Sequence, residues 1–576
     1  MPEIITIARN AVIAKLKDPS REVKLEVQGI LSYMVAGAEN TPRFKSSQWD
    51  GRSSFLDFRG GTFPAGFVPL VVAKLKRAGH TVNIVKKPLP EPLGVAHASL
   101  GKVDSFPDDP RYAYQPEIVE KVVKHGALIA QVATGGGKSR IAKLLYARIR
   151  RPTLFLTTRS LLMYQMKDSF ERDMGVQCSV LGDGQFGHTV TGSDGIARTA
   201  IKSMCVGMVQ TLVQRLSVRT LQQEFEHVYD GLIEKENKQV AAFKKANKGV
   251  DAARLARGVA ELNARQAAAR MKPEAIKAEA VKRIAVQQRL HDQTVALLSK
   301  FECVILEEAH EASGNSYYDI LQHCVNAHYR LALTATPFMK EDEESNMRLM
   351  ACAGPVGARV TEKQLIDLGI LATPYFKYVK IKMRPPKLYK STGWAAAYRL
   401  GVVDCEERNE AIVQEALEAR RYGLSVMVLV QHTAHGDTLK TMLESAGLTA
   451  NFISGEDNQT RRKFCLDSLA SGTTEVLIGS TILDVGVDVP AIGMIIIAGA
   501  GKAEVALRQR VGRGLRAKKK GPNVAFIVDF EDIYNDHLKG HYQQRFGIIN
   551  STPGFAENIL PGGSSFDYVG LGFTPV

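Results

Sequence analysis

Val132 to Ser139 reads VATGGGKS, directly after the apolar run ALIAQVA and directly before the helix-like SRIAKLLYARIRR. A glycine loop between a strand and a helix is the setting a phosphate loop requires. In that setting the backbone N–H groups of Thr134, Gly135, Gly136 and Gly137 can close around β- and γ-phosphates. Lys138 adds a point charge, the Ser139 hydroxyl can ligate Mg²⁺, and the helix dipole reinforces anion binding. The strict GxxxxGK[ST] pattern would need glycine at 132, where this chain has Val132, so the match is to a looser form of the loop. The bland alternative is a chance glycine turn.

The loop sits in an alternating strand and helix pattern, which implies a parallel α/β sheet. TLFLTT follows the first helix, and a second series supplies VMVLV (426–430), EVLIGS (475–480), GMIIIAG (493–499) and NVAFIVDF (523–530). At 576 residues and 45% hydrophobic content the chain has room for three or four domains at a prior of about 150 residues each. The expected division is an accessory module at 1–98, ending in the proline-rich KKPLPEPLG; a first α/β domain at 99–360; a second at 361–545; and an irregular tail at 546–576. Because the phosphate loop and the strand series lie beyond residue 98, the module is expected to be separable from the rest.

Lys and Arg outnumber Asp and Glu by 75 to 60, a net charge of +15 that suits a polyanionic partner, with plain solubility as the alternative. The seven cysteines are scattered and never form a CxxC pair, which argues against disulfides and zinc and fits a reducing cytoplasm. No run approaches the ~18 apolar residues of a membrane span, and no targeting segment is visible.

Downstream, the strand-like ECVIL runs into Glu307-Glu308-Ala309-His310. Adjacent carboxylates on a strand point apart, but beyond its end the chain can turn Glu307 toward a metal and Glu308 toward an attacking water. Alone, the pair could equally be two solvated glutamates at a helix start. LALTATPF (331–338) ends a strand in Thr334 and Thr336, short hydroxyls able to bond neighbouring loops. In the second domain GSTILDVGVDVP offers Gly486 and Asp488, and RQRVGRGLR places Gln509, Arg513 and Arg516 at i, i+4 and i+7 on one helical face. Such guanidiniums can reach transition-state charge across a cleft, or simply form a basic face.

In this order the motifs resemble those of superfamily 2 helicases over roughly 105–540. The resemblance implies two tandem RecA-like domains, with ATP and Mg²⁺ as cofactors and nucleic acid, DNA above all, as partner. It implies that Gln115 reads adenine, that Glu308 is the catalytic base, that Gln509, Arg513 and Arg516 act in hydrolysis, and that Gly486 and Asp488 face the nucleotide. Thr157, Thr158, Arg159, Gln210 and Thr211 resemble the first domain's DNA-backbone motifs, and Gln431 and His432 a second-domain one. Glu307 stands where the family has Asp; its extra methylene is expected to lower turnover or alter the Mg²⁺ geometry. Residues 40–85 resemble the accessory domain of phage UvsW-type helicases, which implies a small α+β fold and branched DNA processed by fork regression and branch migration, in a bacterial host's cytoplasm. There Arg43, Lys45, Trp49 and Arg52 interleave an aromatic with cations, as a base-stacking surface would, although Trp49 and Phe55 could equally be core. The alternatives are a double-strand translocase of a restriction or repair complex, and a DNA-binding scaffold with a degenerate ATPase.

Residues 216–299 interrupt the first α/β domain with two or three helices, turning near ANKG (246–249) and breaking at Pro273. From 234 to 291 they hold 14 Lys or Arg against 6 Asp or Glu. The insertion is expected to project outward, as a solvated hairpin or as an arm that touches DNA.

Overall fold

The computed structural model describes residues 2–96, 100, 109–191, 197–313, 315–338, 343–479, 492–501, 512, 515–518 and 521–576. Three sheets organise them.

The first α/β unit is built on an eight-stranded sheet. Its order is Gln185–Phe186, Cys178–Gly182, Met204–Met208, Thr153–Thr157, Cys303–Leu306, Tyr329–Thr334, Ala127–Val132 and Val356–Val360, parallel except for the first pairing. Thr153–Thr157, Cys303–Leu306 and Tyr329–Thr334 are buried at every position. Continuous apolar runs of this kind belong to a parallel sheet covered by helices on both faces. Parallel strands also share one carboxyl edge, so the phosphate loop, Thr158, Gln210, Glu307 and Thr336 all follow strands that end on the same side. That edge is where such sheets bind ligands.

The second unit is a six-stranded, all-parallel sheet in the order Thr373–Lys380, Val524–Glu531, Met494–Ile497, Val426–Leu429, Val476–Gly479 and Ala450–Ile453. Two of its strands, Thr373–Lys380 and Ala450–Ile453, go beyond those the sequence pattern marks. The chain is thus α/β with two RecA-like parallel-sheet domains. Behind the second sheet, Arg408 and Arg545 are fully enclosed and paired with Asp532 and Asp529. The tail expected at 546–576 begins inside the helix Asp536–Asn550, and the irregular residues after it are packed: Tyr568 stacks on Tyr422 at 4.4 Å, and the Val576 amide donates to the Arg421 carbonyl at 2.8 Å.

The N-terminal module is a four-stranded α+β sheet, Thr62–Pro64, Ile13–Lys17, Ile4–Arg9 and Thr81–Lys86, packed on Arg21–Ile30 and Val68–Arg77. The expectation that it is separable needs correction. Ala351 of the motor helix Glu343–Ala353 lies within the module's own apolar core, with Met347 and Met350 packed against it. The Tyr33 hydroxyl donates to Glu344 at 3.1 Å, and a side chain on Gly66 would run into the Met350 and Ala351 carbonyls. Even the proline-rich linker is docked, its Leu93 and Gly94 amides donating to the Ile149 and Arg148 carbonyls at 3.0 Å.

The insertion forms three helices, Leu221–Ala246, Ala252–Ala269 and Pro273–Leu298. Each start has a local cause: a Thr220/Gln223 capping box, an Asp251 cap, and proline in the first turn at 273. No residue of the middle helix is buried. Among the described residues no helix of the chain is long and apolar enough to cross a membrane.

Candidate active site and nucleic-acid groove

The phosphate loop follows Ala127–Val132 and leads into the helix Lys138–Ile149. Gly135 and Gly137 hold φ of +88° and +78°, which L side chains rarely adopt, and this explains glycine at both. The loop is held from behind. The Tyr114 hydroxyl donates to the Gly136 carbonyl at 2.7 Å and Gln115 Nε2 donates to it at 3.1 Å, while Gln115 Oε1 accepts from the Arg140 guanidinium. Gln115 is 1% exposed, with both ends of its amide committed to the loop and its flanking helix, so here it shapes the loop rather than reaching outward for a base. Tyr114 and Arg140 were not marked by sequence; their only signal is adjacency to Gln115 and to the loop.

Glu307 and Glu308 follow the strand Cys303–Leu306 as expected, and Glu308 takes φ of +45°. This left-handed turn, which costs a non-glycine residue about 1–3 kcal/mol, breaks the strand alternation that would point the two carboxylates apart. Burial, and then the neighbouring Glu308 charge, push the Glu307 carboxyl up to about 7 against the opposing pull of Lys138. Oε2 of each glutamate is buried without a hydrogen-bond partner. One buried and one half-buried carboxylate beside a lysine, each with an oxygen that no hydrogen bond satisfies, fit a divalent cation held by Glu307 and Ser139. Among the described residues no group of three or more His, Cys, Asp or Glu gathers as a metal cluster. Mg²⁺ takes one or two protein oxygens and otherwise keeps water and phosphate. When bound, the ion would neutralise charge on the transferring phosphoryl group.

From Glu308 two connections lead away. His310 Nδ1 lies 3.4 Å from Glu308 Oε2 and 3.3 Å from Thr334 Oγ1, and Thr334 in turn accepts from the Thr336 amide at 3.1 Å. On the other side, the Glu311 amide donates to the Glu308 carbonyl at 2.9 Å, and the Glu311 carboxylate accepts from the Thr158 hydroxyl and lies 3.8 Å from Arg159. Glu311 went unmarked in sequence, although it stands one turn past Glu308. Thr158, Arg159, Gln210 and Glu311 line one cleft of about 480 Å³. Thr157 is buried, and Thr211 faces a neighbouring hollow with Gln214, Arg215, Arg219 and Gln287.

The second sheet meets the phosphate loop directly. Leu371 pairs through its backbone with Arg516, and its side chain would lie 2.6 Å from a Cβ on Gly135. A Cβ on Gly512 would fall 2.7 Å from Thr134 Cβ. Gly512 therefore lies against the phosphate loop, and Arg516 pairs with the Leu371 that packs there. Gly486, Asp488, Gln509 and Arg513 lie outside the described residues. Gln431 and His432 follow the strand Val426–Leu429, where the His432 ring packs 4.8 Å from Tyr398. In the module, Arg43 and Lys45 are exposed. Arg52 instead pairs with Glu343 at 3.4 Å, and the Trp49 indole donates to the Arg52 carbonyl at 2.7 Å. Phe55 is half-buried and packs against the module's core, 5.1 Å from Tyr33 and 5.2 Å from Phe67.

Comparison with known proteins agrees with this arrangement. Residues 110–339 match the family described as type III restriction enzyme, res subunit, and residues 407–518 the helicase conserved C-terminal domain. The chain belongs to the superfamily 2 helicases. Helicase 22 of Sulfolobus islandicus filamentous virus is 24% identical over 263 residues, covering 43% of this chain and 45% of that one. The ATP-dependent DNA helicase uvsW of phage T4 is 21% identical over 240 residues, covering 41% and 46%. The aligned stretch thus spans less than half the length of either relative. The crystal structure of T4 UvsW covers 98% of this chain and 99% of its own, at 16% identity and a TM-score of 0.39.

Proposed function

We propose that this chain is a DNA-stimulated ATPase that moves along and remodels branched DNA. The observation that carries the reading is Glu311, which is bonded through its backbone to the candidate base Glu308 and through its carboxylate to Thr158 in the groove. A phosphate arriving at Thr158 and Arg159 competes for the groups Glu311 holds, and any shift of Glu311 is felt at Glu308. Hydrolysis is thereby tied to occupancy of the groove.

Within the site, Gly135, Gly136, Gly137 and Lys138 would hold the phosphates, Glu307 and Ser139 the metal, and Glu308 the attacking water. Arg516, with Gln509 and Arg513, would meet the developing charge from the second domain. Contacts to phosphate set affinity without base sequence, so discrimination would be by DNA shape. A preference for forks and junctions is supported by the accessory module, whose exposed Arg43 and Lys45 belong to a fold that shares its apolar core with the first domain's Glu343–Ala353 helix. The host cytoplasm is the expected location.

The test is a titration of ATP turnover with single-stranded, duplex, forked and four-way DNA and with duplex RNA. Stimulation by DNA, strongest on branched forms, is expected. Turnover indifferent to every nucleic acid would refute the reading and leave a scaffold with a vestigial ATPase.

A further inference from the structure

The three-helix insertion separates its charges along its length. Below its tip the arm carries both signs, and several acids are ion-paired: Glu224 with Arg219 at 2.9 Å, Glu279 with Arg283 at 2.9 Å, and, midway along the first helix, Glu234 with Lys238 at 2.7 Å. At the far turn, Lys244, Lys245, Lys248, Arg254 and Arg257 are all exposed, and none is ion-paired among the described residues. The one acid between 244 and 257, Asp251, caps the middle helix by accepting from the Ala253 and Arg254 amides. A face charged only for solubility would mix signs, as the root does.

This tip is also built rather than loose. Gly258 lets the two helices close, since a Cβ there would stand 2.8 Å from the Phe243 ring, and the Asn247 amide donates to the Phe243 carbonyl at 2.9 Å. Below it, the first helix runs 26 residues, about 39 Å at 1.5 Å per residue. The arm rises beside the candidate groove. Its third helix packs on Val209–Leu216, the helix whose first turn carries Gln210 and Thr211, with Arg215 donating to Thr294 at 3.2 Å.

We propose that the arm is a second DNA grip, its tip of Lys244, Lys245, Lys248, Arg254 and Arg257 closing on the phosphates of a duplex that leaves the groove past Gln210 and Thr211. The inference rests on the DNA-motor reading above and adds a length to it. For a duplex that runs along the arm, ~3.4 Å per base pair puts the tip about 11 base pairs beyond the groove.

The experiment compares the full chain with a variant carrying Lys244→Gln, Lys245→Gln, Lys248→Gln, Arg254→Gln and Arg257→Gln. These changes leave the Asp251 cap and the Phe243–Gly258 contact in place. Affinity is measured on forks whose duplex arms fall short of, or exceed, about 11 base pairs, across a salt series. The unaltered chain should tighten once the arm exceeds that length, and the variant should not. On long arms the variant's slope of log affinity against log salt should be flatter by about 0.9 per lost contact, up to about 4.5 for all five. Short-arm affinity and basal ATPase should match. As a second readout, a photo-crosslinker on Lys248→Cys should capture long-armed forks only. Identical length dependence and salt slope in the two proteins, or equal crosslinking to short arms, would overturn the proposal. Loss of DNA-stimulated turnover in the unaltered chain would instead overturn the motor reading itself.

Discussion

Replacing Gly512 with alanine asks whether the two sheets work as one closed site. The added Cβ would lie 2.7 Å from Thr134 Cβ and 3.0 Å from its Cγ2, where ordinary contact begins near 3.4 Å. Thr134 Cβ is bonded to the phosphate-loop backbone and cannot swing aside as a side-chain tip can, so one element must retreat by about 0.7 Å, the difference between 3.4 and 2.7 Å. Misplacement of about 1 Å in a reacting geometry costs on the order of a hundredfold. Gly512→Ala should therefore lower kcat at saturating DNA by about ten- to a hundredfold while leaving nucleotide affinity and melting temperature near those of the unaltered chain. Steady-state phosphate release and nucleotide titration separate these quantities. Thr134→Gly removes the opposing Cβ, so the double variant should recover part of what Gly512→Ala loses, measured against Thr134→Gly alone. Normal turnover in Gly512→Ala, or strictly additive defects in the cycle, would refute the closure.

Lys138→Ala should abolish hydrolysis with the fold intact, and Glu308→Gln should bind ATP and DNA yet fail to turn over; normal phosphate release in either would remove that residue from its role. Glu311→Gln should keep basal turnover but lose about tenfold of the DNA stimulation, because a charge-assisted hydrogen bond contributes about 1.5–3 kcal/mol. An unchanged ratio of turnover with and without DNA would end the Glu311 connection. His435 is fully enclosed, 2.8 Å from the Asn409 side-chain oxygen, and burial, then the Arg408 charge, lower it to about 3. Between that value and an unfolded 6.5 the unfolded chain binds the extra proton, so the stability His435 contributes is full above about pH 6.5 and falls with acidification, by about 2 kcal/mol at pH 5. His435→Gln should flatten melting temperature against pH over that window; an unaltered slope would refute it.

The phosphate loop, the Glu307–Glu308 pair and most strands were legible because each motif marks a strand end and apolar runs mark buried parallel strands. The helical insertion was legible from composition and from Pro273. Ala450–Ile453 escaped notice because its four residues are part polar at an edge of the sheet, and Thr373–Lys380 because its lysines and tyrosines mask an edge strand. The contacts of Gln115 were hidden for a different reason: a pattern names a residue, but which groups its amide meets depends on how Arg140 and Gly136 fall around it. Docking of the module was invisible, since Ala351 and Met350 read as ordinary helix core until a second surface is seen to cover them. Glu308's left-handed backbone likewise arises from long-range packing and leaves no local mark.

Because the module's core runs into the Glu343–Ala353 helix and the arm is rooted on Val209–Leu216, both are joined to the elements of the same eight-stranded sheet. Module, groove and arm root are then carried on one sheet, like graduations on a ruler. A strand laid along that ruler is gauged before the second sheet moves at all. Load taken up by the module passes to the Glu343–Ala353 helix and its sheet without crossing the ATP cleft, so force on the substrate need not pry the nucleotide site open.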